Sequence, residues 1–460
     1  MTSLDNLVVT MALPSIRTQL GAGLEGLEWT VNAYTLTFAV LLLPGAALGD
    51  RLGRRRVFSA GLALFTLASA AAALAPNIGM LIAARAVQGV GAALVLPLSM
   101  TILSAAVPPE RRGAALGVWG GVSGLAVALG PLVGGAVTQG AAWQWIFWLN
   151  VPIGLVAIPL ALRTLTESRG PSQRLDGIGV GLVSVGLLGI VLGLVRGQAH
   201  GWTSTSVLAS LVLGAVGVVA FVAWEARLGR PGSTRSPMLP LGLFRRRGFT
   251  AVNVTALLFS FGMFGAIFLL AQYLQNVLDY SPLGAGLRTL PWTAMPLLIA
   301  PIAGPLSDRI GGRPLLVSGM AMMSGALLWM RLVISPTMSF GTLVLPFLLA
   351  GVGMSLFFVP VANVVLGSVE ARHEGLASGT NNSLREVGGV FGIAVLASVF
   401  ASAGGYTDAV SFTHGLRAAL VVATAVLAAG AVSGLFIPGM RRRGVARVST
   451  HDTTAVAVSA

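Results

Sequence analysis

The chain has 460 residues, of which 55% are hydrophobic and only 10% charged, with a mean hydropathy of +0.85. A soluble domain carries about 25% charged residues, so this composition excludes a water-coated globule and points to a membrane as the solvent. A net charge of +14 would suit a nucleic-acid binder, but its placement, given below, assigns it to topology; the absence of cysteine excludes disulfides, thiol catalysis and thiolate metal sites.

A bilayer-spanning helix needs roughly 20 predominantly apolar residues. Fourteen such runs occur, at 1–20, 29–49, 57–75, 79–105, 113–138, 143–162, 177–195, 205–224, 249–276, 284–305, 314–333, 341–367, 376–401 and 414–437. The expected fold class is therefore an all-α polytopic membrane protein. The first run opens "MTSLDNLVVTMALPSI", with a carboxylate, Asp5, almost at its head. Met1 to Pro14 covers about 21 Å as helix, short of a roughly 30 Å hydrocarbon core. The expectation is that the natural start lies upstream of Met1, or that the first span is truncated and Asp5 lies near the cytoplasmic face.

Between the second and third spans stands "GDRLGRRRV" (49–57). Gly53 suits a tight turn, Asp50 can accept from a neighbouring helix N-terminus, and Arg51 and Arg54 hold the loop at the cytoplasmic side. A generic positive-inside loop is the plainer reading of the same residues. The fourth span carries "RAVQGVGAALVLP" (85–97). An arginine at a helix centre costs about 2.5–3.5 kcal/mol on insertion scales, so Arg85 either faces a partner inside the bundle or snorkels to an interface. Gln88 shares its face.

The fifth span, "GVSGLAVALGPLVGGAV" (121–137), places Gly121, Gly124, Gly130, Gly134 and Gly135 where a neighbouring helix can approach closely. Pro131 bends the helix and frees a carbonyl. In "WQWIFWLNVPIG" (143–154), Trp143, Trp145 and Trp148 read as an interfacial aromatic anchor. A helix pair at about 177–224 and a Pro- and Arg-rich linker follow. After the tenth span, "GPLSDRIGGRP" echoes the earlier loop, with Asp308 and Arg309 matching Asp50 and Arg51. The thirteenth span carries "NNSLREVGGVFGIAV" (381–395), where Arg385 and Glu386 point about 100° apart and need not pair.

All basic residues are Arg. Of the 29, 22 fall in loops after even-numbered spans or in the C-terminus, 5 on the opposite side, and Arg85 and Arg385 lie inside spans. Positive charge collects in cytoplasmic loops, so both termini are expected in the cytoplasm. His200, His373, His414 and His451 are scattered, with no metal-like pairing.

The repeated loop and these motifs together resemble the major facilitator superfamily, specifically its fourteen-helix drug:proton antiporter branch, over essentially the whole chain. The resemblance implies two six-helix bundles, 1–165 and 236–440, with two inserted helices and a linker at 166–235 and a basic tail at 441–460. It makes Asp50, Arg51, Gly53, Arg54, Asp308 and Arg309 a conformational latch, although Ala46 stands where the signature has glycine. It makes Gly130, Pro131, Gly134 and Gly135 an antiporter-type helix. "LDNLVVTMALP" matches the branch's first-helix motif at Leu4, Asp5, Ala12, Leu13 and Pro14, with Leu7 and Thr10 replacing the usual residues. Proton coupling would then fall to Asp5, Arg85, Arg385 and Glu386. Glu386 is not universal in the branch, and two roles stay open for it: a second protonation or substrate-charge site, or a structural ion partner. Asn32, Tyr34, Gln88, Trp119, Phe261, Asn363 and Asn381 are candidate substrate-lining residues. The implied activity is proton-coupled export of small amphipathic drugs or antibiotics by a multi-pass protein of the cell membrane, acting as a monomer. No cofactor, metal or nucleic acid is implied. A metabolite importer or facilitator is the alternative. An enzyme or receptor would need a catalytic cluster or soluble output domain, and neither stands in the sequence.

Overall fold

The computed structural model describes residues 2–108, 112–169, 176–230, 237–239, 241–370 and 374–439. The tail 441–460, the side chains of Trp119 and Asp308, and the surroundings of Gly121 and Gly124 lie outside them. The described residues form helices α1 (Thr2–Leu20), α2 (Leu24–Leu52), α3 (Arg54–Ala73), α4 (Ile78–Ala106), α5 (Arg112–Gly140), α6 (Trp145–Trp148), α7 (Asn150–Thr164), α8 (Gly177–His200) and α9 (Thr205–Leu228). A 3₁₀ turn at Leu241–Arg245 leads into α10 (Arg247–Asn276), α11 (Pro282–Thr293), α12 (Met295–Ile310), α13 (Gly312–Val333), α14 (Gly341–Gly367), α15 (Glu374–Ala403) and α16 (Ala409–Leu435).

Twelve helical stretches among the described residues are long and apolar enough to cross a membrane. α6 with α7, and α11 with α12, each make one interrupted stretch. α1 and α5 are further helices, at the places of the first and fifth expected spans. A helix satisfies its own backbone in lipid, and internal prolines such as Pro44, Pro97, Pro131 and Pro360 are accommodated within the bundle. Side chains close several helix starts: Asn77 accepts from Met80 N–H at 2.9 Å, Ser281 Oγ from Gly284 N–H at 3.1 Å, and Asp408 from Ser411 N–H at 2.8 Å.

One large apolar cluster runs from α1 through α10, α13, α14, α15 and α16. A smaller one joins Leu36 and Val40 of α2, Val191 and Val195 of α8, and Val390 and Ala394 of α15. Helix α8 therefore lies on the α2–α15 seam, in contact with both helices.

The two echoed loops share a geometry. Gly53, between α2 and α3, has φ 114°, and Gly311, between α12 and α13, has φ 88°. Each is a single residue joining two helices, in a backbone region that glycine adopts without penalty. The aromatic anchor needs correction. Trp145 is exposed, but Trp143 is fully buried, edge-on to Phe147 with centroids 6.2 Å apart. Trp143 is a core residue because it packs with Ile146 and Phe147 in the large apolar cluster.

Candidate coupling site

Asp5, on α1, is 1% exposed, and Arg85, on α4, is fully buried. Arg85 Nη1 donates to Asp5 Oδ2, forming an ion pair, and to Gln88 Oε1 at 2.7 Å. Gln88 Nε2 donates to Asp5 Oδ1 at 2.9 Å and to Ser69 Oγ on α3 at 2.9 Å. Asn150 Nδ2, from the start of α7, donates to the same Oδ1 at 3.1 Å. Arg85 Nε donates to the Thr30 carbonyl on α2 at 3.0 Å. The guanidinium lies 4.3 Å from the Tyr34 ring centroid and 5.8 Å from that of Phe147, within cation–π range. Two helices, α4 and α7, thus donate to the α1 carboxylate, while α2 and α3 hold its donors.

The partners place the site along the bundle. Thr30 is near the Leu24 end of α2, and Gln88 is in the first half of α4. The loop with Asp50 lies at the opposite end of α2. Asp5 is therefore held away from the Arg-rich end, and the expectation that it sits near that face is corrected. The reason is Arg85, whose desolvated charge needs the carboxylate.

Around this centre the other predicted residues divide. Tyr34 and Gln88 belong to the cluster itself. Asn32 is fully buried, with neither side-chain polar atom hydrogen-bonded. Asn381 Nδ2 donates to Asn253 Oδ1 at 3.1 Å in the α10–α15 contact, and Phe261 is buried on α10. Asn363 is exposed near the end of α14. Arg385 lies 4.6 Å from the Phe358 ring, with Nη1 at 3.4 Å from Asn382 Oδ1. It forms no ion pair with Glu386 among the described residues. Glu386, on α15, lies within electrostatic reach of Tyr34, on α2.

The α5 motif touches two partners. A Cβ on Gly134 would stand 2.7 Å from the Val8 carbonyl of α1, and one on Gly135 would stand 2.3 Å from the Pro282 carbonyl at the head of α11. The Pro131 carbonyl faces Gly286 of α11, where a Cβ would meet it at 2.3 Å. Gly130 packs on Leu7.

The loop motif is organised by a residue that sequence reasoning missed. Glu167, beyond α7, accepts from Arg55 N–H at 3.0 Å and lies 3.8 Å from Arg55 Nε and 3.6 Å from Arg56 Nε. Arg54 N–H donates to the Ser168 carbonyl at 2.9 Å. Asp50 pairs with Arg54 at 2.8 Å instead of capping a neighbouring helix, which corrects that expectation. The start of α3 already has Glu167 and Ser168, and Arg54 is Asp50's nearest cation. Arg309 is exposed, as Arg51 is. Asn150 and Ser69 were also missed: a lone Asn in an aromatic-rich run and a Ser in an alanine-rich one give no signal apart.

The description "Major Facilitator Superfamily" matches residues 1–187 and 289–458. The chain belongs to the Major Facilitator Superfamily. It is a multi-pass membrane transporter and not an enzyme. The cephamycin export protein CmcT of Amycolatopsis lactamdurans is 36% identical over 97% of this chain and 92% of its own. The multidrug resistance protein Stp of Mycobacterium tuberculosis is 36% identical over 87% of this chain and 73% of its own. The tetracenomycin C resistance and export protein of Streptomyces glaucescens is 34% identical over 87% and 74%. Among solved structures, a POT family transporter crystallised with a thioalcohol-conjugated peptide superposes with TM-score 0.68 at 16% identity, over 93% of both chains. A bacterial homologue of the lysosomal transporter Spinster gives 0.63 at 16%, over 95% of this chain and 94% of its own. At such identities these two establish the fold alone.

Proposed function

We propose that this transporter exports small amphipathic drugs or antibiotics from the cytoplasm in exchange for protons. The relatives named for export and resistance support the direction and the substrate class. The observation that carries the coupling is the ionic contact between Asp5 and Arg85 inside the bundle. A carboxylate with three donors is a proton acceptor whose loading has a structural consequence. Protonation cancels the charge that ties α1 to α4. Arg85 keeps Thr30, Gln88 and the Tyr34 ring, so the cation stays on α4 while α1 is released. α1 packs on both α5 and α10 (Gln275 Nε2 donates to the Met11 carbonyl at 3.0 Å), and its release is felt in both bundles.

In this reading the chain has fourteen spans with both termini cytoplasmic, arranged as bundles 1–165 and 236–440 around an inserted segment 166–235. The gradient supplies the drive: one charge moved through 100 mV is worth about 2.3 kcal/mol, which biases a conformational equilibrium more than tenfold. Substrate would pass between the bundles near Asn32, Tyr34, Gln88 and Asn381, with Glu386 facing the Tyr34 side of the path. The test is substrate-driven proton movement in proteoliposomes. An exporter of this kind releases protons to the cytoplasmic side as a drug is taken to the other. Drug movement indifferent to an imposed proton gradient overturns the coupling, and movement with the gradient in the same direction as the proton favours an importer.

A further inference from the structure

On α2, one turn apart and on one face, stand two buried polar side chains that the coupling site does not use. Glu28 is 2% exposed and its Oε2 has no hydrogen-bond partner. Asn32 is fully buried with both polar atoms unpartnered. Thr35 and Leu36, the next residues on that face, are buried as well, so that face of α2 is turned into the protein interior.

The groups facing Glu28 can be named. Glu25, on the same helix, adds repulsion and is itself taken up by Arg196 of α8 at 3.0 Å. From the second bundle comes Tyr406, in the loop between α15 and α16, whose hydroxyl donates to Gln272 Oε1 of α10. Burial pushes the Tyr406 hydroxyl up, Arg17 pulls it down and Glu28 raises it further. Arg17 lies over the Tyr406 ring, 3.9 Å from its centroid. Among the described residues no ion pair reaches Glu28. A buried oxygen of an ionised carboxylate with no partner is among the most costly arrangements in a protein interior. In so packed a seam, the neutralising species must be as small as a proton.

We infer that Glu28 is the proton-loaded residue of the gate between α2 and the Tyr406 loop, and that this gate shuts only when Glu28 carries its proton. Opening the seam admits water to Glu28 and Asn32, which hydrates both groups and lets the proton leave; reclosing requires its return. The proton moves between the Glu28 carboxyl and solvent water, and no other bond changes. The role is separate from that of Asp5, which has its own cation. The inference rests on the alternating-access reading above, since only a seam that opens can exchange this proton.

The chain has no cysteine, so Gly23→Cys, at the head of α2, and Thr407→Cys, beside Tyr406, both at exposed positions, can be spin-labelled without background. Pulsed electron–electron distances are then recorded in lipid nanodiscs from acid to alkaline pH. The expected result is a short distance in acid giving way to a long one in alkali, with the open-to-shut ratio changing by up to about tenfold per pH unit, the limit for one linked proton. Glu28→Gln should hold the short distance throughout, and Glu28→Asp should restore the response. A wild-type distance that ignores pH overturns the inference, and so does a Glu28→Gln protein that still follows pH like the wild type. The distances report the gate whether or not a drug is moved. A pH-following gate in a protein that exports nothing would overturn only the proposed function; proton-coupled export with a pH-blind gate would overturn only this inference.

Discussion

Arg85 and Asp5 are ion-paired across 80 residues of sequence, with both side chains withdrawn from solvent. Removing one partner of a buried pair strands the other charge and typically costs 3–5 kcal/mol. Asp5→Asn should therefore lower thermal stability clearly while leaving a fold that still binds drug, and it should abolish drug-driven proton release. The double variant Asp5→Asn/Arg85→Gln should recover much of the stability and none of the coupling. Thermal melts and proteoliposome proton fluxes measure the two effects separately. Proton-coupled transport by Asp5→Asn at the wild-type rate would remove Asp5 from the mechanism.

The loop after α2 gives a contrasting case. The Asp50–Arg54 pair is part exposed, with side chains 29% and 19% accessible, and such pairs contribute about 0–1 kcal/mol. Asp50→Asn should barely move the melting temperature yet slow transport sharply. Gly53→Ala should behave differently. Its φ of 114° is a conformation other residues adopt at a cost of about 1–3 kcal/mol. The added Cβ would also stand 2.8 Å from the Glu167 carboxylate. Loss of stability in Gly53→Ala, but not in Asp50→Asn, is the expected pattern in a melt of the two proteins side by side.

The glycines of α5 separate packing against α1 from packing against α11. Gly134→Leu collides with the backbone of Val8 and should misfold or lock the protein, seen as loss of monodisperse expression. Gly135 instead meets Pro282, and Gly286 meets Pro131. Gly135→Ala and Gly286→Ala should fold but hold α5 and α11 apart, favouring an open seam there and slowing the cycle. Raised labelling of a cysteine placed at Leu283, with a fall in transport rate, is the expected readout. Full activity in both would make the close approach incidental.

How much of this was legible beforehand depends on the kind of signal. Apolar runs marked most spans, because lipid demands continuous helix, and the motif order pointed to the family. Asp5 and Arg85 stood out singly because charge is rare in such helices. Their pairing was hidden, since no local pattern joins residue 5 to residue 85. Glu167 was hidden for the same reason: its work is done on Arg55 and Arg56, and Arg55 lies 112 residues away in sequence. Trp143 was misassigned because an aromatic run has the same composition whether it meets lipid headgroups or packs into the core. Glu28 passed unnoticed beside Glu25, because sequence cannot tell the carboxylate that finds Arg196 from the one whose buried Oε2 has no partner.

Asn150 offers the finest test of the coupling site. It donates to Asp5 Oδ1 at 3.1 Å from the first residue of α7 and is itself 3% exposed. A donor to the ionised form of a carboxyl favours that form, and a hydrogen bond to a charged group is worth about 1.5–3 kcal/mol. Asn150→Leu removes the donor and keeps much of the volume. It leaves Asp5 with Arg85 and Gln88, so the fold should survive with a modest fall in stability. Losing one of three donors loosens the tie between α1 and α7, so proton-coupled transport should slow severalfold while drug still binds. Asn150→Asp, by placing a second carboxyl beside Asp5, should slow it further through like-charge repulsion. Transport rates of the three proteins at a fixed gradient, set beside equilibrium drug binding, measure the effect. Equal rates would mean that the Asn150 bond contributes only to packing and that coupling proceeds without regard to α7.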